Sequence, residues 1–306
     1  MNGIMLTRQF LDFIDTLEMS SDYAPQRKIF EYLDMAAAIF CRETKSIHRD
    51  VYITTVADQQ AYDLPPDFID LYMQTARRRY FIRYADGDNY CWPILTTHER
   101  IYRQNLLSSK SQPSSFAIIE KQTEPDLIAG SVSHAGAKVN GRCVLTDTVQ
   151  LFMTSHRVWP RDIVYNHTDN SLGYVLANVD ETRVYTALFD GSDDDWSLSD
   201  AYTIQPAVKK QILLDAPSLT SGHVMHIPYV GMPDPVFSDF GFWRLPSRTC
   251  RAIASGAASL FKLGKTEYKE TQALGQLFND EISQFKLELG ANKLKEGPSR
   301  RMQKVF

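Results

Sequence analysis

Cysteine is scarce: Cys41, Cys91, Cys143 and Cys250 are the four in 306 residues, too few and too scattered for a disulfide framework. No C-x-x-C pair occurs and no histidine stands at ligand spacing from a cysteine, so neither a zinc site nor a redox dithiol is signalled. Long apolar runs are missing as well. The stretch 35–41 falls well short of the 18 or so residues that cross a bilayer, which argues against a membrane-spanning helix. A strong excess of one charge is also absent. With 33 basic and 37 acidic residues the net charge is −4, which disfavours coating nucleic acid through the overall field, although a local basic patch could still do so. The first residues hold Arg8 and Asp12 inside an amphipathic stretch rather than an unbroken apolar segment, so no signal peptide is expected and the product is expected to stay in the cytoplasm of its cell.

Enzyme motifs are missing too: no P-loop, no G-x-G-x-x-G after a strand, no G-x-S-x-G and no H-E-x-x-H. The seven histidines are scattered, and His223 and His226, the one close pair, would point to opposite faces of a strand. No catalytic residue, cofactor or metal ligand is assigned from the sequence. The acidic stretch with Asp190, Asp193, Asp194 and Asp195 raises a calcium hypothesis. It lacks the order of an EF-hand loop, and a solvated turn between two strands is the commoner meaning of clustered aspartates. Asn166-His167-Thr168 matches a glycosylation sequon that a cytoplasmic product does not meet. Arg77, Arg78 and Arg79, followed by Tyr80, Phe81, Arg83 and Tyr84, form a basic run with interleaved aromatics. On a strand its arginines alternate between faces, so a charged sheet edge is a better reading than a nucleic-acid grip.

What is present is a globular composition, 43% hydrophobic and 23% charged, in a chain long enough for two or three domains. Leu6, Phe10, Phe13, Ile14 and Leu17 recur at helical spacing, and Ile29, Phe30, Leu33, Ala37, Phe40 and Cys41 repeat it in a second helix to about Lys45. Strand patterns begin at Val51, interrupted by Pro65-Pro66. Residues 132–206 read as a separate unit of short strands and Asp/Gly/Ser turns. Helices return after Pro246: Ile253, Ala257, Leu260 and Phe261 share one face, and Gly256, Ala257 and Ala258 permit close approach of a neighbour. Leu274, Phe278, Ile282, Phe285 and Leu289 line another helix, with Gly290 placed to end it.

These patterns predict an α+β fold. A helical bundle is expected from both chain ends (1–50 and 242–290), with Phe30, Leu33, Phe261, Leu274, Phe278, Ile282 and Phe285 in its core. A small β core (51–131 and 207–241) and an inserted all-β sandwich or barrel (132–206) complete it. Charge is unevenly spread: residues 132–206 hold 5 basic and 10 acidic side chains, residues 242–306 hold 12 and 6. The last stretch, 291–306, is cationic with interspersed apolar residues. It is read as an extended docking tail in which Leu294, Met302, Val305 and Phe306 anchor and Arg300 and Arg301 pair with an acidic rim, the blander alternative being a frayed terminus.

One stretch carries a resemblance. Thr55, Val56, Gln59, Tyr62, Leu64, Pro65, Asp67 and Phe68 match a T-V-x-x-Q-x-x-Y-x-L-P-x-D-F hairpin that resembles one found in bacteriophage head-to-tail adaptor (connector) proteins. Pro113, Phe116 and Ile118 look like that family's x-P-x-x-F-x-I strand, residues 223–232 like its Y-x-x-x-P strand, and Arg244-Leu245-Pro246 like the step into its C-terminal helices. The likeness spans about residues 4–131 and 207–306, and is similar to the architecture of the tail tubular protein A family of short-tailed phages. Residues 132–206 depart from it as an insertion. The resemblance implies a structural virion protein of the neck, a subunit of a ring of about twelve, joining the portal protein to tail nozzle or tube proteins. It also implies that double-stranded DNA passes through the ring without sequence-specific binding, and that neither membrane nor cofactor is involved. Two other classes are weighed against it: a virion-associated tail hydrolase built on paired carboxylates, and a carbohydrate- or DNA-binding β module marked by exposed aromatic platforms.

Overall fold

The computed structural model describes residues 3–14, 26–74, 79–80, 82–86, 89–105, 112–121, 126–153, 156–218, 220–239, 245–265 and 267–295. The chain opens with α1 (Gly3–Phe13) and α2 (Gln26–Thr44). It continues through β1 (His48–Thr54), β2 (Ala61–Asp63), β3 (Phe68–Leu71), β4 (Met73–Gln74), β5 (Arg79–Tyr80), β6 (Arg83–Asp86), β7 (Asn89–Cys91) and β8 (Ile94–Leu95). After α3 (His98–Asn105) come β9 (Ser115–Glu120), β10 (Ile128–Ser131), β11 (Cys143–Thr146), β12 (Ile163–Asn166), β13 (Ser171–Asp180), β14 (Arg183–Phe189) and β15 (Ala201–Gln205). β16 (Lys210–Leu214) and β17 (Val224–Gly231) precede α4 (Cys250–Gly264) and α5 (Tyr268–Lys295).

The architecture is mostly β, and this overturns the expected helical bundle built from both chain termini. Sheets of five, six and four strands and a two-stranded ribbon make up the body. The physical reason lies in what covers the helical stripes. Leu6, Phe10, Phe30, Leu33, Phe40, Ile253 and Phe261 share one core with Ala187 and Phe189 of β14, Val236 and Phe237 of the loop between β17 and α4, and partly buried Tyr174 and Leu176 of β13. Periodicity says that a stripe must be covered, not by what, and here a sheet supplies part of the cover.

Of the seven residues assigned to that core from the sequence, Phe30, Leu33, Phe261, Phe278, Ile282 and Phe285 are buried and Leu274 is partly so. Gly256 lets Phe278 in: a Cβ there would stand 3.0 Å from the phenyl ring, so the α4–α5 contact relies on the missing side chain. Phe278→Ala is expected to lower the unfolding free energy by about 3 kcal/mol in urea titration, the low end for a truncated core phenylalanine because its edge is near solvent. An unchanged midpoint would show that the packing contributes nothing. Gly290 does not end α5, which runs on to Lys295.

Two sheets face each other across a second core. β1, β3 and β6 flank β17 in one, and β2 and β9 flank β16 in the other, with Val51, Ile53, Tyr62, Phe116, Ile212, Met225 and Ile227 between them. The T-V…Y-x-L-P…D-F residues build the hinge between these sheets. The Tyr62 hydroxyl donates to Gln59 O (2.9 Å) and accepts from the Val56 amide (3.2 Å), Leu64 is buried, and Phe68 stacks on Tyr229 at 5.5 Å. The third sheet runs β10-β15-β12-β13-β14-β11, all antiparallel. It curls until its outer strands approach, the Ser133 amide bonding Thr146 O at 2.8 Å, and encloses Leu145, Phe152, Val164, Val184, Trp196 and Ile204. β10, placed by sequence in the preceding β core, belongs to this sheet through its pairing with β15.

Candidate interaction surfaces

The six-stranded unit is locked to the rest of the chain. Arg161, held at φ +83° ahead of β12, pairs with Asp34 on the buried face of α2 and donates to Pro233 O at 2.8 Å. The second Asp34 oxygen accepts the Val236 amide at 3.2 Å. Tyr174 stacks on Phe237 (3.9 Å, 12° between planes) and its hydroxyl donates to Glu31 at 2.8 Å. Beside this, Arg49 joins Asp67 (3.0 Å) and Asp234 (2.6 Å). Two arginines thus pin the loop before α4, so surface features on the different sheets keep fixed relations to one another.

On that frame α5 is conspicuous for its length. Twenty-eight residues span about 42 Å at 1.5 Å each. Among its described side chains Phe278, Ile282 and Phe285 are buried and Leu274 and Leu289 partly so, while Tyr268 and Leu287 are 70% and 73% exposed. Its ties to the body are local: Arg248 to Glu288 (2.5 Å), Lys286 to Glu43 (2.9 Å), and buried Lys262 to Glu267 (2.8 Å) and Glu270 (2.9 Å). Of the tail residues singled out from sequence, Leu294 falls in the last turns of α5, and Arg300, Arg301, Met302, Val305 and Phe306 lie outside the described residues.

The acidic turn sits at one end of α2. Asp190 pairs with Arg27 (2.6 Å) and Asp194 with Lys138 (3.3 Å). Asp169, Asp193 and Asp195 form no ion pair among the described residues, although the Lys138 charge also acts on Asp195, and their oxygens lie within 4.8 Å of one another. Burial, and then repulsion from neighbouring aspartates, pushes the Asp169 and Asp195 carboxyls above their ordinary value. The buried Asn166 amide braces the turn, its Nδ2 lying 3.1 Å from Asp169 Oδ2, 3.0 Å from Asp200 Oδ2 and 3.2 Å from Asp195 O. Calcium takes 6–8 oxygens, so three carboxylates supply only part of a shell. Leu198, 66% exposed, lies in the next turn, beyond the Trp196 bridge to Gly136.

A basic groove of about 530 Å³ lies at the other end of α2. Pro65, Pro66 and Met232 give it an apolar floor, and Arg42, Lys45, Lys209 and Lys210 outnumber Asp70 and Glu120 on its walls. Lys45 is paired with Asp70 at 2.9 Å, and Lys210 donates to Ile69 O at 3.2 Å. Arg42 and Lys209 are exposed and unpaired among the described residues. Sequence reasoning missed this groove because Arg42, Pro65 and Lys209 are far apart along the chain and no local motif joins them. The Arg77–Arg79 run that it noticed falls mostly outside the described residues.

A second concavity, about 380 Å³, opens between β1 and the six-stranded unit, lined by Tyr52, Met153, Arg157 and Trp159 among others. Tyr52 is 64% exposed and stacks on His226 (4.7 Å, 15°), which bonds Asp50 at 2.8 Å. His223 instead meets Tyr84 and Thr220, so the two histidines do not converge. Burial pushes the Cys41 thiol up to about 12 and Cys143 up to about 11, so these two are protonated near neutrality. No protein-family model and no curated protein matches this chain.

Proposed function

We propose that this chain is a structural subunit of a phage head-to-tail adaptor ring, lying in the virion neck between portal and tail and extending the DNA channel. The observation that carries the reading is α5, a helix of 28 residues whose described contacts with the core run from Leu274 to Leu289, with apolar Tyr268 and Leu287 exposed. An element of that shape is sized for a partner's surface rather than for its own fold. The adaptor-like hairpin supports the same reading, since its Tyr62, Leu64 and Phe68 lie in the core where the two sheets meet. In this reading the basic segment from Lys293 onward docks on the portal, the β sheets face tail nozzle or tube proteins, and about twelve subunits surround DNA that slides without sequence-specific contacts.

The test is reconstitution of the purified chain with its portal protein, followed by gradient sedimentation and electron microscopy. A ring capping the portal is expected. Removal of residues 296–306, beyond α5, is expected to leave the melting temperature unchanged and to abolish attachment. Attachment that survives the truncation removes the tail from the mechanism, and a full-length chain that never associates with the portal sinks the adaptor reading.

A further inference from the structure

We infer that the acidic turn of one subunit seats in the basic groove of a second copy of the chain, a head-to-tail contact between two different faces. It deepens the adaptor reading by naming the contact between neighbouring subunits, and rests on that reading only for the closure of a ring.

The two surfaces match in both charge and polarity. The turn offers the carboxylates of Asp169, Asp193 and Asp195, grouped within 4.8 Å with only the Lys138 charge, itself paired with Asp194, nearby, and exposed Leu198 follows in the next turn. The groove offers an apolar floor of Pro65, Pro66 and Met232, with Arg42 and Lys209 unpaired on its walls. Seating one in the other would set these carboxylates against Arg42 and Lys209, supplying each cluster with the opposite charge.

They cannot meet within one molecule. Arg27, in the first turn of α2, grips Asp190 of the acidic turn, whereas Arg42 lies in the last turn of the same helix. From position 27 to position 42 the axis advances about 22 Å, against the 4 Å or so of an ion pair. The buried face of α2 runs between, with Phe30, Leu33, Ala37 and Phe40 fixed in the core, so the helix acts as a rigid spacer. Its dipole reinforces the arrangement, favouring acids near the first turn and bases near the last. A molecule with complementary patches at opposite ends forms a heterologous interface, which makes rings where the rotation closes and filaments where it does not.

Sedimentation velocity on the full chain tests this. The wild type is expected to self-associate at low ionic strength and to dissociate in high salt, because exposed charges are screened. Asp193→Lys/Asp195→Lys and Arg42→Glu/Lys209→Glu should each raise the concentration needed for association by at least about tenfold, since like charges then face each other. A mixture of the two variants should associate again, acid meeting base in every contact. Circular dichroism checks that both remain folded. Variants that assemble like the wild type, or a mixture that stays monomeric, overturn the contact and leave the adaptor reading standing. A wild type that is monomeric throughout but binds short duplex DNA through Arg42 and Lys209 overturns it in favour of a phosphate-binding groove. Loss of portal attachment by the unmodified chain is the separate failure that would remove the adaptor reading itself.

Discussion

Arg161→Ala is expected to lower the unfolding free energy by about 3–5 kcal/mol, a larger loss than any other single substitution on the surface of the six-stranded unit. The side chain is 11% exposed and so is its partner Asp34, so truncation leaves a carboxylate buried without its cation on the core face of α2. The Pro233 carbonyl loses its donor in the same step. Arg161 also sits at φ +83°, a conformation that costs a non-glycine residue and persists because the ion pair and the Val175 carbonyl, which accepts its amide at 2.7 Å, hold it there. The prediction has an internal control. If the pair is the mechanism, Asp34→Ala should cost about as much, and the double variant should lose clearly less than the sum, with a coupling of about 1–3 kcal/mol in a double-mutant cycle. Additive losses would mean that the two residues stabilise the fold separately. A second readout follows from geometry: limited proteolysis should begin cutting between the six-stranded unit and the helices in the single variants, because Arg161–Asp34 is the buried ion pair between them, the Arg27–Asp190 pair being more exposed.

The same interaction shows what was legible in the sequence. Helices and strands were readable wherever one face had to be apolar: α2, α4 and α5 follow the 3.6 period, and Phe278 found Gly256 as the small residues had suggested. Asp34 was not readable. A carboxylate in the middle of an apolar stripe breaks the pattern, and the arginine that justifies it lies 127 residues away. For the same reason the helices were assigned only to one another. Tyr174, Ala187 and Phe189 belong to strands whose alternation gives them a buried face, but alternation does not say that the face is shared with a helix. The acidic turn was visible as a cluster because its aspartates are consecutive. The groove that complements it was invisible because its cations come from α2 and from the approach to β16. α5 was clear in its middle and misjudged at its end, since a glycine at position 290 permits a stop without imposing one.

Stability is expected to fall as pH rises from about 4 to about 7, and Asp162 is the main cause. Its side chain is fully buried at the start of β12, where it accepts the amides of Trp159 (2.7 Å) and Ala207 (2.7 Å), and burial pushes its carboxyl up to about 7 with no cation beside it. Below the ordinary value of 3.8 the group is protonated in folded and unfolded chains alike, and its contribution is fully present. Between 3.8 and about 7 the folded chain keeps the proton and the unfolded chain has lost it, so folding takes up a proton and stability declines by about 1.4 kcal/mol per pH unit. Above about 7 both forms are ionised and the loss, on the order of 4 kcal/mol, is complete. Asp169 and Asp195, also raised, act in the same direction. The opposite trend, greater stability at neutral pH than at pH 5, is what paired surface carboxylates usually produce, so the sign alone is informative. Asp162→Asn separates the causes. It removes the titration but sets an amide donor against a backbone donor, so it should be less stable than the wild type near pH 4 and lose most of the slope up to pH 7. Urea midpoints at pH 4.5, 6 and 7.5 measure both effects. A variant with the wild-type slope would show that the pH dependence arises elsewhere, and that the junction of the six-stranded unit tolerates a buried negative charge.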